Sequence, residues 1–574
     1  MRTLIIIICL TLIATALFSQ EINSFRNLST GRALLDNLDF ILDPLDIRYV
    51  SGIRLYTNLS NLSAEDRIFM NDGSNHFLMA ISTDEIFYEG FRAAFMATYY
   101  DNKHPRPIQF YPNPYGEWLE VGFGEVEHIW QEFRDTNLNG LYDTHHIVQQ
   151  SFENSEYHSG NEFYLNLSYQ INEEHAVGFK TGLFTTKSGY NYLSNNMLGY
   201  SSGTPTFDYL EQIFNLPEND PTQEELELEI ARNGEFETEL RDVRWMNHFA
   251  YSFQPDDIEY RVGLVLATIH ENEFTEDEIY LSPTQENALY CYEKEVAGLF
   301  IAFNGGARYT FRQMPERRHD GFISAHAQIG FHILDNETFQ EMAYERDTID
   351  EVFDISESFG WSDTMSEKGD IRSTDFLTSI RFSYPLNDRT FFGTGLRYHY
   401  TDFDIENDFH QAYESSETAY FIPMDEWLYT TDTESAIRGK SQHQRRINLF
   451  SIPVGLEYWF TNNRQWALRF GSQFTQRVET FNTLYQPTHV EPEITHVYLP
   501  DEDDPIIYIE DNTYEIGSES RKMRSSQTIY SYGVCFIPSR NLQIDLMGLF
   551  DQDDIEVWNT DFIRNLRISF SLRF

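Results

Sequence analysis

The last ten residues, NLRISFSLRF at 565–574, alternate strictly: Leu566, Ile568, Phe570, Leu572 and Phe574 are apolar, while Asn565, Arg567, Ser569, Ser571 and Arg573 are polar. A period of two puts these sets on opposite faces of one β-strand, one greasy and one wet. The pattern recurs upstream. Trp466, Leu468, Phe470 and Phe474 oppose Gln465, Arg469, Gly471 and Gln473, and further copies fall at Leu542, Ile544, Leu546, at Tyr530, Tyr532, Val534, Phe536 and at Val454, Leu456, Tyr458, Phe460. Earlier ones are Leu396, Tyr398, Tyr400; Tyr260, Val262, Leu264, Leu266; Trp245, Phe249, Tyr251, Phe253; and Phe163, Leu165, Leu167, Tyr169. Each runs about ten residues, the length of a tilted strand that crosses a bilayer.

The connections alternate in length. Short ones fall at Asn172–His175, Pro255–Asp257, Pro385–Asp388, Thr461–Asn463 and Pro538–Arg540, and long ones at roughly 188–240, 335–372, 402–440 and 485–522. Outer-membrane barrels place tight turns in the periplasm and long loops outside, and counting back from a periplasmic Phe574 puts all four long stretches outside. An aromatic at the end of such a strand resembles the terminal signal those barrels present to their assembly machinery, carried here by Phe570, Leu572 and Phe574. The resemblance implies an all-β chain: a transmembrane antiparallel β-barrel of about 14 to 18 strands with long acidic extracellular loops and short periplasmic turns. A soluble β-sandwich array accounts for the alternation but not for the parity of the turns. Pro453 interrupts a strand, and its missing N–H predicts a bulge or irregularity there.

The composition agrees. Aromatics make up 16% of the chain although mean hydropathy is −0.47, which suits strands with one apolar and one wet face. The start, MRTLIIIICLTLIATALFSQ, carries Arg2, an apolar run from Leu4 to Ile13 and small residues at Ala14, Ala16 and Ser19. That is the anatomy of a secretory signal peptide over residues 1–19. No later run is apolar for the ~18 residues a spanning helix needs. Residues 20–45 contain STGRALLDNLDFILDP, which reads either as a plug-like helix capped near Ser29 or Thr30 and stopped before Pro44, or as a flexible arm; the barrel then spans 46–574. Cleavage of the leader leaves Cys291 and Cys535, too far apart to make a disulfide framework, so unpaired cysteines are expected.

Net charge is −50, from 91 acidic and 41 basic residues, and the four long stretches hold 43 of the acidic residues against 8 basic ones. Negative charge is therefore concentrated outside, where it suits plain solvation or cross-bridging by divalent cations. Nucleic acid is excluded as a partner, because phosphates would be repelled. The cluster Arg312, Arg317, Arg318 falls in a short turn and supplies local charge balance. Within the first long stretch, Asp220, Pro221 and Gln223 predict a helix start, with Leu226 and Ile230 on one face and Asn233 and Gly234 as its stop.

One segment carries a chemical motif. DTNLNGLYD resembles the calcium loop of EF-hands and dockerins, with Asp135, Asn137 and Asn139 at positions one, three and five, Gly140 at six, Leu141 at seven and Asp143 at nine. Alternate oxygens converge on the ion as the chain winds round it, Gly permits the sharp turn, and position seven offers a carbonyl. His146 stands where the family has its bidentate acid. The resemblance implies Ca²⁺ binding, with no cofactor otherwise required; a turn whose side chains satisfy their own backbone is the alternative.

The faces opposite the apolar stripes carry Arg397, His399, Glu457, Arg469, Gln473, Gln543 and Asp545. Such a polar lumen lining permits water and solutes, so a passive pore or small-molecule transporter leads. A barrel with a small N-terminal plug is similar to the long-chain fatty-acid transporters of the outer membrane; TonB-dependent receptors need a far larger plug. The second reading is a structural or surface-interaction barrel whose acidic loops bind a partner or glycan. An outer-membrane enzyme is third, and no nucleophile motif names catalytic residues. Expected partners are outer-membrane lipid, the barrel-assembly machinery and an unknown solute or surface partner, in a Gram-negative-type outer membrane.

Overall fold

The computed structural model describes residues 24–60, 75–83, 88–105, 107–109, 120–134, 144–202, 228–281, 286–350, 355–421, 426–460, 464–500, 504–510, 518–551 and 567–574. The leader expected at 1–19 and the calcium-type turn at 135–143 lie outside these residues.

Two short helices come first. Ser24 caps α1 (Phe25–Ser29) by accepting from the Asn27 N–H, and Asp36 with Asp39 forms a capping box on α2 (Asn37–Leu42). The helix expected to begin near Ser29 or Thr30 is thus two, and those residues close the first. Gly31 and Arg32 take φ of 64° and 65° and reverse the chain between them. A 3-10 turn at Asp46–Tyr49 follows. Strand pairing starts only at Arg54, so residues 46–53 sit with the N-terminal segment rather than with the barrel.

The strands follow in chain order: β1 (Arg54–Ser60), β2 (Asn75–Thr83), β3 (Phe91–Pro105), β4 (Pro107–Gln109), β5 (Glu120–Arg134), β6 (Thr144–Gln170) and β7 (His175–Ser202). Next are β8 (Leu228–Phe253), β9 (Ile258–Leu281), β10 (Glu286–Arg312), β11 (Gly321–Asp350), β12 (Ile355–Pro385), β13 (Thr390–Phe421) and β14 (Glu426–Trp459). The last are β15 (Trp466–Val490), β16 (Glu493–Tyr498), β17 (Ile506–Glu510), β18 (Ser518–Ser539), β19 (Leu542–Asp551) and β20 (Arg567–Arg573). Pairing runs from β1 through β2, β3 and β6, consecutively from β7 to β15, then through β18, β19 and β20 and back to β1, so sixteen described strands close an antiparallel ring. The count falls inside the range expected from sequence. Hairpins β4–β5 and β16–β17 are extra, added on the upper parts of β6 and β14.

The two ends of the ring differ. At one end the connections are tight, as at 171–174, 254–257 and 386–389; at the other the strands rise far beyond what a bilayer requires. β14 has 34 residues, a length of about 110 Å at ~3.3 Å per residue, whereas a crossing takes about ten. The four stretches read as long loops are therefore strand for most of their length, since neighbouring hairpins of equal height satisfy each other's backbone hydrogen bonds. Leu228–Gly234 belongs to β8, so Ile230, Asn233 and Gly234 sit in a ladder rather than on the face and stop of a helix. Asn233 pairs with Asn195 on one side and Tyr280 on the other, a pairing that a short isolated helix cannot match.

Apolar side chains form an outward belt next to the tight turns. On β11, Phe331 and Ile333 are 41% and 62% exposed while inward Leu334 is 7% exposed. Above Ile333 the outward positions turn charged, at Asp335 and Glu337, and on β12 at Lys368, Asp370 and Arg372. Pro453 breaks the ladder to β13: bridges lapse between Thr394–Val454 and Arg397–Ser451 with no shift in register, so the irregularity is a gap and not a bulge.

Inside the ring, three glycines lie side by side on adjacent strands: Gly393 pairs with Gly455, and Gly455 with Gly471. The chain from Thr30 to Leu34 lies directly on them, and a Cβ on Gly455 or Gly471 would overlap the Thr30 backbone. Because strand pairing holds this wall on both sides, Gly471→Val is expected to leave the ring intact while expelling the N-terminal segment, at a cost of about 1–3 kcal/mol for that contact. Limited proteolysis checks this: the variant should keep its folded, heat-modifiable gel mobility but be cleaved within 24–50, and protection equal to that of the parent would refute the packing.

Candidate functional site

Residues 24–50 fill the ring at its tight-turn end. Their apolar side chains Leu38, Phe40, Ile41, Ile47 and Val50 join Tyr56, Leu78, Met96, Tyr164 and Phe184 of the wall in one buried cluster, and Leu34 joins Phe391 and Trp459 in another. Backbone carbonyls are claimed by the wall as well: Asn166 donates to Ile41 O at 2.7 Å, Lys180 to Leu42 O at 3.3 Å and Arg92 to Val50 O at 2.7 Å.

Ion pairs hold the segment at two places. In the first, Arg26 of α1 is fully buried and its Nε donates to Glu457 at 2.7 Å. Glu457 also accepts from Arg469 at 2.9 Å and from Trp459 Nε1 at 2.9 Å, and Arg469 reaches Asp545 at 2.8 Å. Alongside, Arg318 donates to Asp36 at 2.8 Å and to Gln543 at 3.2 Å, and Gln543 donates to Asp545 at 2.7 Å. In the second, Arg48 pairs with Glu259, and Arg261 reaches Asp46 at 2.5 Å and Glu259 at 3.0 Å. Arg317 also donates to Glu259, at 3.2 Å, and its guanidinium lies 3.5 Å from the centre of the Tyr49 ring.

The expected lumen residues separate into two groups. Glu457, Arg469, Gln543 and Asp545 come together in the first cluster. Arg397, His399 and Gln473 lie elsewhere: His399 pairs with Asp375 across β12 and β13, and Gln473 donates to Thr475 at 3.4 Å. Sequence reasoning missed Glu259 and Arg261, although both stand opposite Tyr260 and Val262 in an alternating strand and were findable by that signal. Arg26, Asp36 and Arg48 carried none, because short irregular segments have no period. Arg317 and Arg318, read as local charge balance, reach the N-terminal segment. Above the seated segment the inner wall changes character: Ile269, Val296, Leu334 and Ile371 form an apolar cluster with Phe300, Phe403 and Ile405. His332 stacks on Phe300 with ring centres 4.4 Å apart, and Thr401 donates to Asp375 at 3.1 Å nearby.

Burial alone would raise the Asp36 pKa, but Arg318, Arg469 and Arg26 together outweigh it and hold its carboxyl well below the usual range. His319, stacked on Phe391 at 4.3 Å in the β10–β11 turn, goes the other way. Burial, reinforced by Arg26, pushes it down to about 4 despite Glu457 at 3.4 Å. A histidine whose folded pKa lies below its unfolded value favours the closed state above ~6.5, and that contribution is lost as pH falls toward the folded value.

Two outcomes follow. Glu457→Ala strands Arg26 as a buried charge and leaves Arg469 with Asp545 alone, with an expected cost of about 3–5 kcal/mol; the midpoint of chemical unfolding in detergent reads it, and a change below 1 kcal/mol would refute the pairing. Between pH 7 and pH 4, hydrogen exchange of residues 36–50, corrected for its intrinsic rate, should accelerate in the parent. In His319→Gln that acceleration should shrink; an equal response in both would discount His319.

No family model matches the sequence, and no curated protein matches it. Among solved structures, the chain is similar to the toluene transporter TbuX of Ralstonia pickettii, with 11% identity over 96% of this chain and 98% of that one, at a TM-score of 0.33. It is also similar to a FadL homologue of Pseudomonas aeruginosa (13% identity, 97% and 100% coverage, TM-score 0.31) and to the siderophore receptor PirA of Acinetobacter baumannii (9% identity, 91% and 80% coverage, TM-score 0.24). At these scores the likenesses assign no family.

Proposed function

We propose that the chain is an outer-membrane β-barrel that passes a small molecule and is closed at its periplasmic end by its own N-terminal segment. The observation that carries this reading is the seating of residues 24–50 inside a closed ring, pinned by the buried Arg26–Glu457–Arg469 ion pairs. The outward apolar belt supports the location, since a closed barrel satisfies every backbone group within itself and can present apolar side chains to lipid. By the same logic the tight turns face the periplasm and the tall acidic hairpins the exterior. The apolar inner cluster around Phe300 and Phe403, beside His332 and Asp375, favours a solute with an apolar part and a polar end. A seated plug favours a gated transporter over an open pore.

Planar-bilayer conductance tests this. The parent should be silent, and both Gly471→Val and a deletion of residues 24–50, each shown by heat-modifiable mobility to be folded, should carry steady current. Porin-like current in the parent, or silence in both folded variants, would overturn the reading.

The turn Asp135–Asp143 enters the proposal as a calcium site on the exterior. Calcium should protect the β5–β6 hairpin from protease, with protection lost on chelation and in Asp135→Ala. Equal cleavage with and without calcium would remove the site from the proposal.

A further inference from the structure

At the tight-turn end, below the seated segment, lies a cavity of about 350 Å³, within the ~300–1,000 Å³ range of small-molecule sites. Its lining includes Arg54, Arg318, Arg464, Arg540, Arg573 and Glu316. In a chain with 91 acidic and 41 basic residues, that composition runs against the whole.

The charges do not cancel locally. Arg318 is satisfied, since it pairs with Asp36 at 2.8 Å and with Glu316 at 2.6 Å. The other four arginines have no carboxylate within ion-pair distance among the described residues. Arg54 donates to the Ser51 carbonyl at 3.1 Å and Arg464 to the Asp388 carbonyl at 2.8 Å, while the Asp388 carboxylate belongs to Arg312. Arg464 holds its place in a left-handed backbone, φ 52°, which is uncommon for an arginine.

The register adds a second, independent observation. Arg54 and Arg573 are direct cross-strand partners on β1 and β20, at the seam that closes the ring. Like charges directly opposite one another on a β-pair destabilise it. Two guanidiniums facing one cavity from that position gain from an anion between them, and planar, forked donors suit phosphate oxygens.

We propose that this cavity is an anion site that takes a phosphate group, clamped between Arg54 and Arg573, with Arg464 and Arg540 at its rim. The phosphate belongs either to a free solute or to the headgroup of a phospholipid in the leaflet at that end. The site stands apart from the transport reading, because it rests on charge and register at the seam and not on the state of the lumen.

Calorimetric titration of the full mature protein in uncharged detergent at low salt tests it, with two probes: inorganic pyrophosphate and dihexanoyl phosphatidic acid below its micellar concentration. Saturable binding of either supports the site; pyrophosphate alone assigns a free anion, and the lipid alone assigns a headgroup. The double variant Arg54→Gln/Arg573→Gln should weaken that binding by roughly tenfold or more, as expected for loss of charged hydrogen bonds. In anion-free buffer the same variant should melt no lower than the parent, because it removes a repulsion. With pyrophosphate or the lipid added, only the parent should gain stability. Absence of saturable binding to either probe, binding that survives the double substitution, or a lower melting temperature of the variant in anion-free buffer would each overturn the proposal.

Discussion

The ladder between β20 and β1 is the constraint on which the rest of the structure depends. Leu55 pairs with Leu572 and Leu59 with Ile568, and through these bonds the last strand of the chain satisfies the first. Without that seam the sheet would end in two open edges, each a row of unpaired N–H and C=O groups. With it, the wall becomes a closed surface that has an inside. Every later feature uses that distinction, because alternation along each strand then separates an outer face, apolar along the belt, from an inner face that meets the seated segment and the lumen.

An enclosed lumen makes buried charge tolerable and specific. Arg26 enters from the N-terminal segment, while Glu457 and Arg469 pair with each other from neighbouring strands, so Arg26 meets its carboxylate and Glu457 its second arginine only when the segment is seated. Glu457 accepts from both arginines and from Trp459, which leaves little room for an alternative pose. The second cluster, around Glu259 and Arg261, fixes the far end of the same segment. Between them the glycine row of β13, β14 and β15 removes the side chains that would hold the backbone off the wall. Charge sets where the segment sits, and the absence of Cβ atoms sets how closely.

The tall end follows different physics. There the strands outrun the apolar belt, and their outward positions carry acids and bases in place of leucine and phenylalanine. Pairs such as Lys368 with Glu337 at 2.8 Å are exposed, so they contribute little to stability. What holds these walls upright is backbone pairing between hairpins of equal height, a collective property that no single side chain supplies.

Much of this was legible in the sequence. The two-residue period in NLRISFSLRF and its copies named the strands, their faces and the tight turns, because alternation is a local property of a strand half in contact with apolar surroundings. The same period placed Glu457, Arg469, Gln543 and Asp545 on the inner face. It could not tell how far strands continue past the belt, since hydrophobic alternation fades where both faces meet water; acidic stretches therefore read as loops, and Leu228–Gly234 as the end of a helix. Nor could it join Arg26 to Glu457, which lie 431 residues apart. The sequence by itself determined which residues face in and which face out. Only the closed tertiary structure decided which inward residues meet, because that depends on the register of strands around the ring and on the path of a segment with no period of its own.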